Sequence, residues 1–490
     1  MEKPNKVVVI VAAVFPLLSA IIYMWIKPFD GIEFNGDSYR YYLSALRLVE
    51  SLKSLTIPEP AFWPDGYPIL LASVFQFADV SFKNAQWVNI CLTSLMSLTL
   101  YFIFYNSIKD RANFNPIFIF SIVIFYFCGF ILKYQLTLMS DLPALFWSVL
   151  TAFFLFRFLE KRKLLLIVAV SLSVAMAIMT RYVYALLFIP IAAALFVEFR
   201  NIRLTILYLI IIGFGVFIFS SPQIFLILQS PDSSLNHPWI SRWSIVNFWL
   251  LDRSSIDGNL TVSLPNFLYY FLIPFRHSEF TPAGFILFLG GVFISFRNGL
   301  NNLTIFFLVW FCAIYLFLCG ILIQNPRFCL SLYIPILYFI FMFLQFLFHM
   351  KFKRFIYAGL FLFVAVKIFT STAFVNQTIN EKDNMLASAE KFSAMIPKET
   401  VIITWDFFEA YYIYFPDRQV ETIHNLTIEK VDEIVRHSSV VLIFDENRLN
   451  SVWKNFPPAE LYQQIVKKYP FRKLYDDGKY SVLLGGTNEK

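Results

Sequence analysis

The chain has 490 residues, of which 58% are hydrophobic and only 15% charged, where soluble domains carry about 25%. With 59 phenylalanines, most of it must be solvated by lipid, which excludes an ordinary soluble enzyme. The net charge of +7 is uneven: residues 375–490 hold 14 Lys and Arg against 17 Asp and Glu, and residues 1–374 hold 26 against 16. A basic excess in the links between apolar stretches is the mark of membrane orientation, not of nucleic-acid binding.

Eleven stretches are predicted to span a bilayer: residues 7–26, 85–108, 115–132, 141–159, 164–180, 182–199, 204–221, 281–296, 303–323, 329–349 and 355–374. The first is long enough to cross and lacks a small-x-small cleavage site, so it reads as a retained helix. Residues 67–78 and 266–275 are apolar but short, and are expected to be juxtamembrane or re-entrant helices. Lys3 and Lys6, Lys109 and Arg111, Arg157 with Lys161 to Lys163, Arg200 and Arg203, Arg297, and Lys351 to Arg354 recur at every second span end. If those ends are cytoplasmic, residues 27–84, 133–140, 222–280 and 324–328 and the whole tail lie outside. The N-terminus is then inside, and a bacterial inner membrane is the expected location.

The first outer loop opens with Asn35-Gly36-Asp37-Ser38-Tyr39-Arg40-Tyr41-Tyr42. Asp37, Arg40, Tyr41, Ser44 and Leu48 share one face of a helix lying along the surface. Asp37 reads either as a chemical carboxylate or as that helix's N-cap, and the two are compatible. The loop continues through Phe62-Trp63-Pro64-Asp65-Gly66-Tyr67-Pro68. A second acidic residue, Asp141, opens the fourth span in Met139-Ser140-Asp141-Leu142-Pro143, where Ser140 or Asp141 is also a candidate cap.

The cations Lys133, Arg181, Arg276, His277 and Arg327 also fall on the predicted outer side, against the usual charge bias. Arginine forks match phosphate oxygens, although headgroup anchoring is the plain alternative for each. The loop at 222–280 carries Asn236-His237-Pro238-Trp239, Trp243, Trp249 and Asp252, which suit sugar stacking or an interfacial aromatic belt. Five cysteines all lie in or beside apolar stretches and suggest neither a disulfide framework nor a thiolate metal site. Triplets for N-glycosylation at Asn259, Asn302, Asn376 and Asn425 do not fix an origin.

The tail is a different material. Val401–Ile403 and Val440–Phe444 read as buried strands, and Thr427–His437 as a helix capped by Thr427. Asp476-Asp477-Gly478 reads as a hairpin turn between Phe471–Tyr475 and Tyr480–Leu484. The expected fold class is an α-helical polytopic membrane protein with a small C-terminal α/β domain. Residues 1–374 would form the membrane domain and 375–490 the extracytoplasmic one.

Outer-face Asp, Arg and Tyr suit transfer of a sugar from a polyprenyl phosphate. A carboxylate takes the proton of the acceptor, and arginine or a metal stabilises the departing phosphate. No Walker or dinucleotide fingerprint is present. The order of Gly-Asp-Ser…Tyr-Tyr, Trp63 to Pro68, Met139-Ser140-Asp141, Met179-Thr180-Arg181 and Arg327-Phe328…Pro335 resembles the GT-C membrane glycosyltransferases over residues 1–350. It is closest to the branch of protein O-mannosyltransferases and lipid A aminoarabinose transferase.

The resemblance implies Asp37 as catalytic carboxylate and Asp141 as second acidic position. Tyr41, Arg181 and Arg327 would contact donor phosphate, and Arg40, Trp63 and Tyr67 would contact acceptor or substrate. It implies a polyprenyl-phosphate-sugar donor, a glycan, lipid or protein acceptor, membrane lipids as surroundings, and no nucleic acid. A divalent metal is a possible cofactor, but many relatives carry Glu, His or Lys where this chain has Phe62-Trp63, and Glu59 is the nearest substitute. A transporter or flippase of lipid-linked glycans is the rival reading. Such proteins place ionisable groups near the midplane and show repeated halves, and this chain shows no repeat. A non-catalytic membrane scaffold for the tail would leave the outer charges unexplained.

Overall fold

The computed structural model describes residues 5–34, 37–58, 62–107, 113–229, 241–255, 258–350, 353–451, 453–454 and 456–485. Glu59, Lys109, Arg111 and Asn236 to Trp239 lie outside the described residues. The chain divides into two compact units. The first comprises residues 1–32, 37–249 and 266–376, and the second 33–36, 250–265 and 377–490.

The first unit is helical. Its elements are α1 (Lys6–Ile26), α2 (Ser38–Ser54), α3 (Gly66–Phe75), α4 (Phe82–Ser107), α5 (Phe114–Tyr126), α6 (Gly129–Leu136), α7 (Asp141–Lys161), α8 (Leu164–Thr180), α9 (Phe188–Phe199) and α10 (Ile202–Gln229). The second unit's β1 (Asp252–Ser255) and β2 (Gly258–Thr261) form an antiparallel ribbon. Then follow α11 (Asn266–Leu272), α12 (Thr281–Arg297), α13 (Asn302–Gly320), α14 (Tyr333–Phe348) and α15 (Lys353–Met395). Short 3₁₀ turns at Tyr182–Leu187 and Pro326–Leu332 lead into α9 and α14.

Eight described helical segments are long and apolar enough to cross a membrane. Two more of the expected spans are the 17-residue helices α8 and α12, each about 25 Å long at 1.5 Å per residue. The remaining one, expected as a single span at 115–132, is instead the pair α5 and α6, bent by 68°. Cys128 is extended, with φ −71° and ψ 131°, and the Gly129 amide donates to the Ser278 carbonyl at 2.7 Å. A Cβ on Gly129 would meet Phe374 at 2.8 Å and the Glu279 carboxylate at 3.0 Å, so a larger residue there would have to displace the Phe374 ring. The expected link at 133–140 is helical to Leu136, and all eight residues of α6 are buried. The expected short helices at 67–78 and 266–275 are present as α3 and the Asn266–Phe275 segment.

Helix α15 runs on without a break for 43 residues, from the apolar stretch at 355–374 into polar sequence. The second unit adds β3 (Val401–Thr404), α16 (Phe408–Tyr414), β4 (Val420–Thr422), α17 (Ile428–His437), β5 (Val440–Asp445), α18 (Glu446–Asn450), α19 (Pro457–Lys468), β6 (Phe471–Asp476) and β7 (Tyr480–Gly485). The sheet order is β4-β3-β5-β7-β6. β4, β3 and β5 are parallel, and β7 is antiparallel to both neighbours. Every residue of β3 is buried, which explains its uninterrupted apolar run. The expected hairpin is β6–β7, turned by Gly478 at φ +79°. Thr427 caps α17 by accepting from the Lys430 amide at 3.5 Å.

Candidate active site

Four charged residues far apart in sequence meet at one end of the helical unit. Asp37 precedes α2, Asp141 opens α7, Arg181 follows α8, and Arg327 lies in the 3₁₀ turn before α14. Arg327 Nη2 donates to Asp37 Oδ2 at 2.8 Å, and its Nε stands 3.6 Å from Asp141 Oδ2. Arg181 Nη1 pairs with Asp141 Oδ1. The result is a chain Asp37–Arg327–Asp141–Arg181. Asp141 is 4% exposed, and a carboxylate so buried is tolerable only because two guanidinium groups compensate it. Both guanidinium groups also face the Phe328 ring, at 5.5 and 5.8 Å.

The capping expectations need correction. Asp37 occupies the N-cap position of α2, but its side chain makes no capping bond. Its carboxylate is drawn to Arg327 instead. Ser140 holds the N-cap position of α7 and likewise makes no capping bond. Its hydroxyl donates to Tyr41 Oη at 2.8 Å. Ion pairing and a buried hydroxyl contact outcompete the caps, since each is worth more away from water.

Tyr41 is buried one helical turn after Asp37, and burial pushes its phenol well above the ordinary range. It therefore works as a neutral hydrogen-bonding group. The Tyr67 ring is fully buried and meets Tyr41 edge-on, with centroids 5.4 Å apart. Trp63 is half-buried, stacks edge-on with Phe62 at 4.6 Å, and its indole N–H has no partner among the described residues. Arg40 is exposed and is not joined to the four-residue chain. Lys133 is buried, with its ammonium 5.4 Å from the Tyr134 ring. Arg276 stacks on Phe130 at 5.5 Å. Trp243 sits on Gly320 and donates to the Phe317 carbonyl at 2.9 Å, and Trp249 packs on Phe267. Among the described residues no three His, Cys, Asp or Glu side chains converge as a metal site would need. The two carboxylates present are held by arginines.

A sequence model of the dolichyl-phosphate-mannose-protein mannosyltransferase family matches residues 64–225. No curated protein matches the chain by sequence. Among solved structures, ArnT from Cupriavidus metallidurans bound to undecaprenyl phosphate aligns with a TM-score of 0.60 at 10% identity, covering 96% of this chain and 97% of that one. The apo form of the same protein aligns at 0.61 and 9%, with the same coverage. The chain has the fold of ArnT. It is an integral, multi-pass membrane protein.

Several residues that build this candidate site were not singled out from sequence. Gln86 and Asn89, one turn apart on α4, are both buried. Gln86 Nε2 donates to the Leu136 carbonyl at 2.6 Å. Asn89 Nδ2 reaches the carbonyls of Tyr134, Thr137 and Met139 at 3.2, 2.7 and 3.1 Å. They hold the backbone that delivers Asp141. A pair of amides at i and i+3 inside an apolar span was the available signal. Asn89→Leu is expected to lower thermal stability in detergent by about 1–3 kcal/mol, through stranded carbonyls, and to reduce activity by displacing Asp141. A variant equal to wild type in both would disprove this.

Glu279, on the loop before α12, is fully buried and accepts from Tyr333 Oη at 2.7 Å and from Ser278 Oγ at 3.1 Å. Lys367, inside the apolar part of α15, is fully buried and bonds the carbonyls of Ser278 and Glu279. A lysine there is costly without such acceptors.

Asp65 is also buried, at 1% exposure. Its Oδ1 pairs with Arg47 Nη2 at 3.0 Å, and its amide donates to Gln223 Oε1 on α10 at 2.8 Å. Burial pushes the carboxyl up to about 6, against the opposing pull of Arg47. A carboxyl raised in the folded state binds its proton more tightly there than when unfolded. Its stability cost is absent below about pH 4 and complete above pH 6, at about 3 kcal/mol for a shift of two pH units. Asp65→Asn is therefore expected to raise the melting temperature in detergent at pH 8, with the gain vanishing toward pH 4. Equal melting at both pH values would refute it.

Proposed function

We propose that this protein is a membrane glycosyltransferase that moves a sugar from a polyprenyl phosphate to an acceptor. The observation that carries the reading is the Asp37–Arg327–Asp141–Arg181 chain. It gathers two carboxylates and two guanidinium groups at one end of a fold shared almost end to end with ArnT. The structure of that protein bound to undecaprenyl phosphate makes a lipid phosphate the natural donor chemistry.

In this reading Asp37 orients an acceptor hydroxyl or amine and takes its proton as the acceptor attacks the anomeric carbon. The bond from that carbon to the phosphate oxygen breaks, and the electron pair leaves with the phosphate. Arg181 and Arg327 stabilise that charge, and Asp141 holds both in place. Tyr41 is a neutral donor beside the phosphate. A single displacement inverts the anomeric centre. Exposed Arg40 and half-buried Trp63 would contact the acceptor in this reading, while Tyr67 packs edge-on against Tyr41. The site faces the outer side of a bacterial inner membrane, as the basic span ends suggest. The acceptor is lipid A, an O-antigen or other glycan, or a protein, and the sugar a hexose or a pentose.

The test is a transfer assay in proteoliposomes, with a radiolabelled undecaprenyl-phosphate sugar and candidate acceptors supplied separately. Label appearing in the acceptor with release of undecaprenyl phosphate supports the reading. Label that crosses the bilayer still attached to lipid, with no glycosylated product, supports the flippase alternative instead.

A further inference from the structure

The segment Asp65-Gly66-Tyr67 touches α2, which follows Asp37, and the end of α8, which precedes Arg181. Tyr67 packs under Tyr41 of α2, and Tyr41 in turn accepts from Ser140 beside Asp141. Gly66 lies against the last peptide of α8. A Cβ built on it would stand 2.6 Å from Met179 C, 2.7 Å from Met179 O and 2.7 Å from Thr180 N. All three are backbone atoms, so no side chain can swing away to make room. The next residue after that peptide is Arg181.

Asp65 anchors this contact from the other side. Its carboxylate is tied to Arg47 on α2, and its amide to Gln223 on α10. It does not cap α3, which it directly precedes. Its Oδ2 has no hydrogen-bond partner among the described residues. A carboxylate is thus buried with half its acceptor capacity unused, where a neutral asparagine would offer Arg47 the same oxygen. Residues that cost stability without local return are expected where function needs them.

We propose that Asp65 is a positioning residue for phosphate recognition: its bonds to Arg47 and Gln223 press Gly66 against the Met179–Thr180 peptide and so fix where Arg181 stands. This rests on the reading of Arg181 as a phosphate contact. Asp65 itself touches no substrate. Losing the Arg47 pair frees the loop from α2, the contact at Gly66 relaxes, and the Arg181 guanidinium drifts from the position set by Asp141.

The experiment measures undecaprenyl phosphate binding to the full-length protein in nanodiscs, for wild type, Asp65→Ala, Arg181→Ala and the double variant. Arg181→Ala is expected to weaken binding at least tenfold and Asp65→Ala about five- to tenfold. The double variant should be no weaker than Arg181→Ala alone, because residues acting through one another are not additive. With a sugar-loaded donor, Asp65→Ala should raise KM more than it lowers kcat. Asp65→Asn should fall between wild type and Asp65→Ala. Gly66→Ala, which removes no polar group, should reproduce the weakened binding, and serves where Asp65→Ala fails to fold. Affinity within twofold of wild type for both Asp65→Ala and Gly66→Ala would overturn the proposal. So would additive losses in the double variant. Unchanged binding by Arg181→Ala would overturn it too, by removing Arg181 as the phosphate contact. A transfer assay on Asp37→Asn tests the glycosyltransferase reading separately.

Discussion

Asp37→Asn is expected to lower sugar transfer by a factor of about 10²–10⁴, the usual contribution of a positioned general base, while the protein inserts and purifies like wild type. The asparagine is isosteric, and its carbonyl oxygen can still accept from Arg327, so the 2.8 Å contact has a neutral substitute. The negative charge and the capacity to take a proton are lost. The measurement is turnover with saturating lipid-linked donor, alongside undecaprenyl phosphate affinity. Reduced turnover with retained affinity is the expected signature, because an interaction made only in the transition state lowers kcat without raising KM. Turnover within a few-fold of wild type would remove Asp37 from the chemistry.

Arg327→Met is expected to damage both fold and activity. Arg327 is 12% exposed and serves two carboxylates. Without it, Asp37 loses its charged partner and Asp141 retains only Arg181. Breaking a buried pair by removing one side costs about 3–5 kcal/mol, which is a large part of the stability of most proteins. Arg327→Lys should recover part of the stability and little of the transfer, since an ammonium is a point charge and cannot span two carboxylates as a planar fork does. Thermal stability in detergent and transfer rate, measured together, check both halves. A methionine variant that melts like wild type would mean that the ion pairs contribute nothing measurable.

The four charged residues that meet in the candidate site were singled out from the sequence, because a membrane makes charge position informative. Asp37, Asp141, Arg181 and Arg327 each stand at a span end on one predicted side, where ionisable groups need a reason. Their partners were not legible. The Asp37–Arg327 pair closes a separation of 290 residues, and Arg181 could have faced a headgroup equally well. The caps failed for the same reason. Asp37 and Ser140 have the local pattern of a helix start, but long-range partners claim their side chains.

The break between α5 and α6 was not read from the sequence either, where only Gly129 marks it. Residues 114–136 contain no proline at the bend, and the chain turns because the Gly129 amide finds the Ser278 carbonyl from a distant loop. Asp65 was not singled out within its Pro-rich stretch, and its amide bonds Gln223, 158 positions away. In the tail, by contrast, strands, hairpin and the Thr427 cap follow from local pattern, since a small sheet domain in water obeys the alternation and turn rules directly.

The chain of two carboxylates and two guanidinium groups sums to zero. An empty site of this kind needs no counter-ion from a medium that supplies few. In the proposed reaction a sugar phosphodiester would arrive with one negative charge, so the loaded site would become an anion while the vacant one is not. Any acceptor that is positively charged, or that becomes so as it attacks, is then drawn in more strongly after the donor than before it. The order of substrate addition would thus be written into the charge balance of four side chains, with no moving part required to enforce it.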